Sequence, residues 1–171
     1  MTVAGDLDAL DRLLILELYA EHAQAMDAGD TEAFVGVFAP DAVAYGVRGH
    51  AAIRDFHRRF LPDAAFPGSQ HFASHIQAVE GDASRATVHA YVTRMYRVPG
   101  ATNATPIWHG YYIDTVVKRD GRWVFQVKHA HLAEELLEGL LDQETLRNQN
   151  APARELFDMG LARNMLPPRS Q

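Results

Sequence analysis

The chain contains no cysteine, which excludes disulfides, thiolate chemistry and cysteine-held metal sites. No apolar run approaches the roughly 18 residues of a membrane span. Asp6, Asp8 and Asp11 stand where a secretory leader would need basic residues and an apolar core, so a cytoplasmic location is the expectation. Excess positive charge is also missing. The 16 Lys and Arg stand against 22 Asp and Glu, a net charge of -6, whereas a nucleic-acid binder would show a basic face for phosphates. The single basic cluster, Arg54, His57, Arg58 and Arg59, has helical spacing and reads as a solvated face. Glycine-rich phosphate loops, nucleophile elbows and serine-histidine motifs are absent, which argues against nucleophilic catalysis.

What is present suits one domain. With 171 residues, 47% of them hydrophobic and 22% charged, the chain has an ordinary globular composition, and no repeat or low-complexity tract interrupts it. A chain of this size buries roughly 70% of its unfolded surface without staples. Apolar spacing predicts a helix from about Leu7 to Ala28, with Leu10, Leu14 and Leu18 in its buried stripe and Gly29 as its stop. Asp30 caps a second helix carrying Phe34, Val37 and Phe38 and ended by Pro40. A short strand over 41–47 and a third helix through Phe60 follow. From residue 69 the period becomes two, predicting strands at about 69–79, 84–97, 107–118 and 122–132. The domain is therefore expected over 1–133 as α+β, an antiparallel sheet with three N-terminal helices around an apolar pocket. Residues 134–171 read as a C-terminal helical extension of it.

Asp120-Gly121 suits a type I′ turn and sets a register. Pairing Arg119 with Arg122 carries forward to Val116 with Phe125, Asp114 with Val127 and Tyr112 with His129. One face then holds Trp108, Tyr112, Asp114, Val116, Trp123, Phe125, Val127, His129 and His131, and the two tryptophans assign it to the concave core.

Several residues on these elements are able to carry chemistry. Asp27 lies in the last turn of the first helix, where a negative charge opposes the dipole; it is either a solvent-facing residue or a functional one, since Ala23 and Tyr19 face the same way. In Gln70-His71-Phe72-Ala73-Ser74-His75, strand alternation puts His71, Ala73 and His75 on one face. Histidine exchanges protons near neutral pH, and an aspartate on its other nitrogen fixes the tautomer. Nine histidines raise the question of a metal. Yet His71 and His75 stand about 13 Å apart along a strand and no tight ligand motif occurs, so no metal is expected. Tyr45 either packs or offers its hydroxyl to a bound carbonyl.

The order of elements, together with Leu18 to Asp30, Phe38 to Asp41, Gly49 to Phe56, Gln70-His71-Phe72, Gly110 to Thr115 and Arg119 to Trp123, resembles the SnoaL-like part of the nuclear transport factor two-like superfamily. Within it the chain is most similar to scytalone dehydratase and bile acid dehydratases. The resemblance implies a cone-shaped barrel of curved antiparallel sheet wrapped around the N-terminal helices, an oligomer (dimer or trimer) formed through the convex sheet face, and no cofactor. It places Asp27 on the helix-one aspartate of those enzymes, His71 on its partner histidine and Tyr45 on a tyrosine that holds a water or carbonyl. Met26 stands where a tyrosine precedes the aspartate in scytalone dehydratase. His22 stands where the bile acid enzymes have a tyrosine, and Arg94 near a second catalytic histidine or acid; both are second-line candidates for the acid. The implied activity is that of a lyase, a dehydratase or a retro-aldol enzyme, acting on a small hydroxylated aromatic or polycyclic substrate. That substrate would be lined by Tyr19, Phe34, His75, Trp108, Tyr112, Asp114 and His129. The alternatives are an isomerase or polyketide cyclase, which would use a neutral Asp114, and a non-catalytic module for binding a small ligand or for oligomerisation.

Overall fold

The computed structural model describes residues 7–60, 69–97 and 102–132, with the side chains of Phe60, Tyr96, Thr105, Ile107 and Trp108 outside that description. The helices expected beyond residue 133, and the division placed there, lie outside the described residues.

Helix α1 (Ala9–Ala28) starts where the Asp8 side chain accepts a bond from the Asp11 amide at 2.7 Å, and it ends at Gly29, whose φ of 68° is one that glycine adopts without strain. Its inward residues are Asp11, Ile15, Leu18, Tyr19, His22 and Ala25. Leu18 of the expected stripe is buried and Leu14 packs on the core, but Leu10 is 61% exposed and faces outward with Leu13 and Leu16. The cause is polar. Asp11 accepts bonds from Lys118 Nζ at 2.6 Å and from Trp123 Nε1 at 2.8 Å, which turns that side of the helix toward the sheet.

Asp30 caps α2 (Thr31–Gly36) through the Ala33 amide at 2.9 Å. The helix stops well before Pro40, which sits instead inside strand β1 (Phe38–Ala44). A register irregularity between Phe38 and Val43 accommodates this proline, which has no N–H to give to a ladder. The segment expected as one strand over 41–47 is the end of β1 plus a hairpin. Val43 pairs with Arg48 and Ala44 with Val47 of β2 (Val47–Arg48), leaving Tyr45 and Gly46 as a two-residue turn with φ of 52° and 80°. Helix α3 (Gly49–Phe60) follows and packs on β1 and α2.

Strands β3 (Ser69–Gly81), β4 (Arg85–Tyr96), β5 (Thr105–Arg119), β6 (Arg122–Lys128) and β7 (Ala130–Leu132) complete one curved sheet in the order β2-β1-β6-β5-β4-β3, with β7 beside β5. The expected α+β fold, a curved sheet around N-terminal helices, is present; within it one pair is parallel, β1 with β6, and the sheet stays open between β2 and β3. Helix α1 lies across its inner face against β3 and β6. The core between them holds Ile15, Leu18, Phe34, Phe38, Val88, Val92, Val116, Trp123 and Phe125.

Two bulges decide which side chains face that core. The I′ turn, with φ of 51° at Asp120 and 79° at Gly121, sets the expected register as far as Val116 opposite Phe125. Gln126 is then an extra residue, so Thr115 rather than Asp114 pairs with Val127, and Tyr112 pairs with Ala130 rather than His129. Beyond the bulge Lys128 points inward and His129 is exposed, the reverse of the face expected from strict alternation. On β3, His75 has φ of 51° and lies in a second bulge between the pairs Ser74 to Tyr91 and Gln77 to His89. Here too the alternation breaks. The inward side runs Ala73, Ile76, Ala78, while His75 turns out against the Tyr91 ring at 5.4 Å between centroids.

Candidate active site

The last turn of α1 and the first residues of β3 bring Asp27 and His71 together. Asp27 Oδ1 lies 2.6 Å from His71 Nδ1, and the same carboxylate accepts the His71 backbone N–H at 3.0 Å (Oδ2) and 3.2 Å (Oδ1). The imidazole side chain is 11% exposed and the carboxylate 24%. A carboxylate only accepts, so the proton sits on Nδ1 and the Nε2 lone pair is left bare. Among the described residues no group bonds to Nε2. Burial lowers the His71 pKa below its ordinary value; the Asp27 hydrogen bond pulls it up, the positive charge of Arg94 pushes it down, and the Asp27 charge raises it. The result is a neutral, oriented imidazole with one open nitrogen.

Across the interior, His22 on α1 reaches Tyr45, with Nε2 2.8 Å from the tyrosine hydroxyl. The Tyr45 ring stacks on Phe56 with centroids 5.0 Å apart and 2° between planes. Positive φ is unusual for a bulky residue, and here the turn aims the side chain into the fold instead of leaving it on the surface. Burial raises the Tyr45 pKa well above its ordinary value, with Tyr112 and Asp114 adding to the effect, so it is a neutral phenol. Burial likewise holds His22 neutral by lowering its pKa strongly, and the charges of Lys128, His71 and His57 act in the same direction.

Arg94 is the cross-strand partner of both His71 and Trp108, and its Nε donates to Ser69 Oγ at 2.8 Å. Burial lowers its pKa to about 10, opposed by the Asp27 charge, and the group stays cationic at neutral pH. Beside this cluster lies a second polar core. Asp114 Oδ2 accepts from Tyr19 Oη at 2.6 Å and from Lys128 Nζ at 2.7 Å, and Oδ1 accepts the His129 backbone N–H at 3.1 Å. Three donors thus occupy both carboxylate oxygens.

Of the residues singled out in the sequence, Asp27, His71 and Arg94 meet at one place and His22 and Tyr45 at another, with Tyr112 between His22 and Tyr19. Tyr19 and Phe34 are buried in the core, Phe34 against the ring of His57 at 4.5 Å. His75 and His129 are turned away by the two bulges. The side chain of Trp108 lies outside the described residues. Lys128 escaped the sequence reading because alternation from the hairpin put it on the outer face, and nothing in the residues around Gln126 announces the bulge. Among the described residues no three His, Asp or Glu side chains converge as a metal ion would require, and no helix is long and apolar enough to cross a membrane.

Comparison with known proteins places this geometry in context. A family model described as a SnoaL-like domain matches residues 8–129. No curated protein matches the sequence. Among solved structures, a protein of unknown function with a cystatin-like fold from Nostoc punctiforme is 27% identical at a TM-score of 0.63, covering 74% of this chain and 94% of its own. A variant of Rv3472 from Mycobacterium tuberculosis, also of unknown function, is 20% identical at 0.66, covering 73% and 77%. A protein from Novosphingobium aromaticivorans described as a candidate scytalone dehydratase is 22% identical at 0.60, covering 72% and 84%.

Proposed function

The chain belongs to the SnoaL-like domain family, and from that premise we propose that it is a cofactor-independent acid-base lyase, a dehydratase in its simplest form, acting on a small hydroxylated aromatic or polycyclic compound. The observation that carries this is the 2.6 Å contact of Asp27 with His71 Nδ1, which leaves Nε2 bare. Nε2 removes a proton from carbon beside a carbonyl or aryl group. Negative charge moves onto the carbonyl oxygen, and Asp27 supports the imidazolium that forms. The imidazolium then returns its proton to the β-hydroxyl, the C–O bond breaks, and water leaves as the C=C bond forms. Retro-aldol cleavage uses the same base on a hydroxyl proton and breaks a C–C bond instead.

Tyr45 is the donor to the developing oxyanion. With His22 giving its Nε2 proton to the Tyr45 oxygen, the phenol proton is left for the substrate. Arg94, held by Ser69, keeps a positive charge beside the dyad and favours the neutral imidazole. An isomerase working through a neutral Asp114 is disfavoured because Tyr19, Lys128 and the His129 backbone N–H already engage both oxygens of that enclosed carboxylate.

The test is a panel of hydroxylated aromatic and polycyclic ketones followed by mass spectrometry. A product lighter by one water is expected, and His71→Ala should lower turnover by about 10²-fold or more. A His71→Ala protein that turns over at the wild-type rate would remove His71 from the chemistry, and a product of unchanged mass would favour an isomerase.

A further inference from the structure

The pair Asp114 and Lys128 is fully enclosed, with both side chains at 0% exposure. Burying two charges is costly unless every donor and acceptor finds a partner. Both Asp114 oxygens have donors, but among the described residues the Lys128 ammonium has one oxygen partner and otherwise faces rings: Tyr112 at 3.5 Å from its centroid, Phe125 at 4.3 Å and Tyr19 at 4.6 Å. Packing alone does not call for a cation at this place.

The ring it approaches most closely belongs to Tyr112, on the inward face of β5 opposite Ala90. Tyr112 is buried, yet among the described residues nothing bonds its hydroxyl, whereas Tyr19 gives its own to Asp114 and Tyr45 is engaged by His22. A hydroxyl in the interior with no protein partner is available to a bound ligand. Its neighbours locate it. The His22 ring lies 6.5 Å from the Tyr112 ring and 6.4 Å from the Tyr45 ring, so the two phenols flank one histidine. Burial raises the Tyr112 pKa, as do the charges of Asp114 and Asp27, so the hydroxyl keeps its proton and donates. A cation on the face of an aromatic ring draws electron density toward itself and sharpens the O–H as a donor.

Resting on the acid-base reading above, we propose that Tyr112 is a second hydrogen-bond donor to the oxygen that becomes negative during the reaction, and that Lys128 is the positioning residue that braces and polarises its ring. The ligand class is thereby narrowed to aromatic or polycyclic compounds whose reacting carbon lies next to a carbonyl or phenolic oxygen, since in this assignment two phenols serve one oxygen and one imidazole serves carbon.

The probe is 2-naphthol, whose oxyanion imitates the enolate, with its more acidic 6-cyano derivative as comparison. Binding is measured by calorimetry on the full chain. Tyr112→Phe should bind 2-naphthol about 10-fold to 100-fold more weakly than wild type, the range for losing one hydrogen bond to a charged oxygen. Because Lys128→Met alone strands Asp114 and risks unfolding, the neutral pair Lys128→Met with Asp114→Asn is used for the cation. It should alter the preference between the two naphthols, while a purely structural role would weaken both equally. Wild-type affinity in Tyr112→Phe, or no binding of either naphthol by the wild type, overturns the assignment of Tyr112. An unchanged preference in the neutral pair overturns that of Lys128. Failure of the acid-base reading would show separately, as turnover that survives His71→Ala.

Discussion

Replacing Asp27 by asparagine exchanges one carboxylate oxygen for an NH2, removes the charge and changes almost no volume. The carboxylate receives two donors from one residue, the His71 backbone N–H and the ring Nδ1–H. An amide offers one acceptor oxygen with two lone pairs and one donor nitrogen. Either that oxygen keeps both His71 donors, as Oδ1 does now, and only the charge is lost, or the amide N–H faces Nδ1 and the imidazole adopts the other tautomer, carrying its proton on Nε2, where the lone pair is needed. Hydrogen bonds to charged groups contribute about 1.5–3 kcal/mol, and 1.4 kcal/mol is a factor of ten, so loss of charge support alone should lower kcat/KM roughly 10-fold to 100-fold. A tautomer switch adds to that. Two-bond 15N–1H correlation spectra of the His71 ring read the tautomer directly: a proton on Nδ1 in the wild type, and on Nε2 in Asp27→Asn if the ring switches. The pH profile provides a second reading. The His71 pKa lies below its ordinary value because burial outweighs the Asp27 bond. Removing that bond lowers it further, so the acid limb of kcat/KM should move to lower pH while the plateau falls. A variant with the wild-type rate, the wild-type tautomer and the same acid limb would refute the reasoning.

His22 is held neutral in the fold, with its pKa well below 6.5, but it titrates normally in the unfolded chain. The unfolded state therefore binds the extra proton below about pH 6.5. Stability should fall with decreasing pH by up to about 1.4 kcal/mol per unit until the folded pKa is reached; urea unfolding at pH 5, 6 and 7 measures this, and His22→Gln should flatten the slope. Gly81 leaves no room for a side chain, because a Cβ there would lie 2.6 Å from the Arg85 carbonyl oxygen and 2.7 Å from Ala86. Gly81→Ala should lower stability by about 1–3 kcal/mol, and a melting temperature equal to wild type would show that the β3 to β4 corner yields more easily than its backbone contacts suggest.

Local rules made much of the fold legible. Asp30 as a cap, Gly29 as a stop and Asp120-Gly121 as a hairpin are decided by a few neighbouring atoms, and such signals survive in a bare sequence. Residues 27 and 71 were both visible as candidates, but their 2.6 Å contact depends on how α1 lies on β3 and is written in no local pattern. What failed were inferences that run a rule over distance. Alternation was carried from the turn to His129 across a bulge at Gln126, and it placed His129 and Lys128 on the wrong sides. It was carried from His71 to His75 across another, with the same result. The apolar stripe of α1 was drawn through Leu10 because hydrophobicity was given more weight than Asp11, whose bonds to Lys118 and Trp123 are set by tertiary pairing.

That tertiary pairing also has a consequence in time. Asp11 is separated by 107 positions from Lys118 and by 112 from Trp123, and Tyr19 by 95 from Asp114. The first helix described is thus fastened by some of the last strand residues described. Loops of that span close late, after the β5 to β6 hairpin has supplied the partners. Asp27 rides on the same helix, so pinning its first turn at Asp11 also fixes how its last turn meets His71. Asp11→Asn should accordingly speed unfolding while leaving the folding rate near wild type, as both arms of a stopped-flow chevron would show.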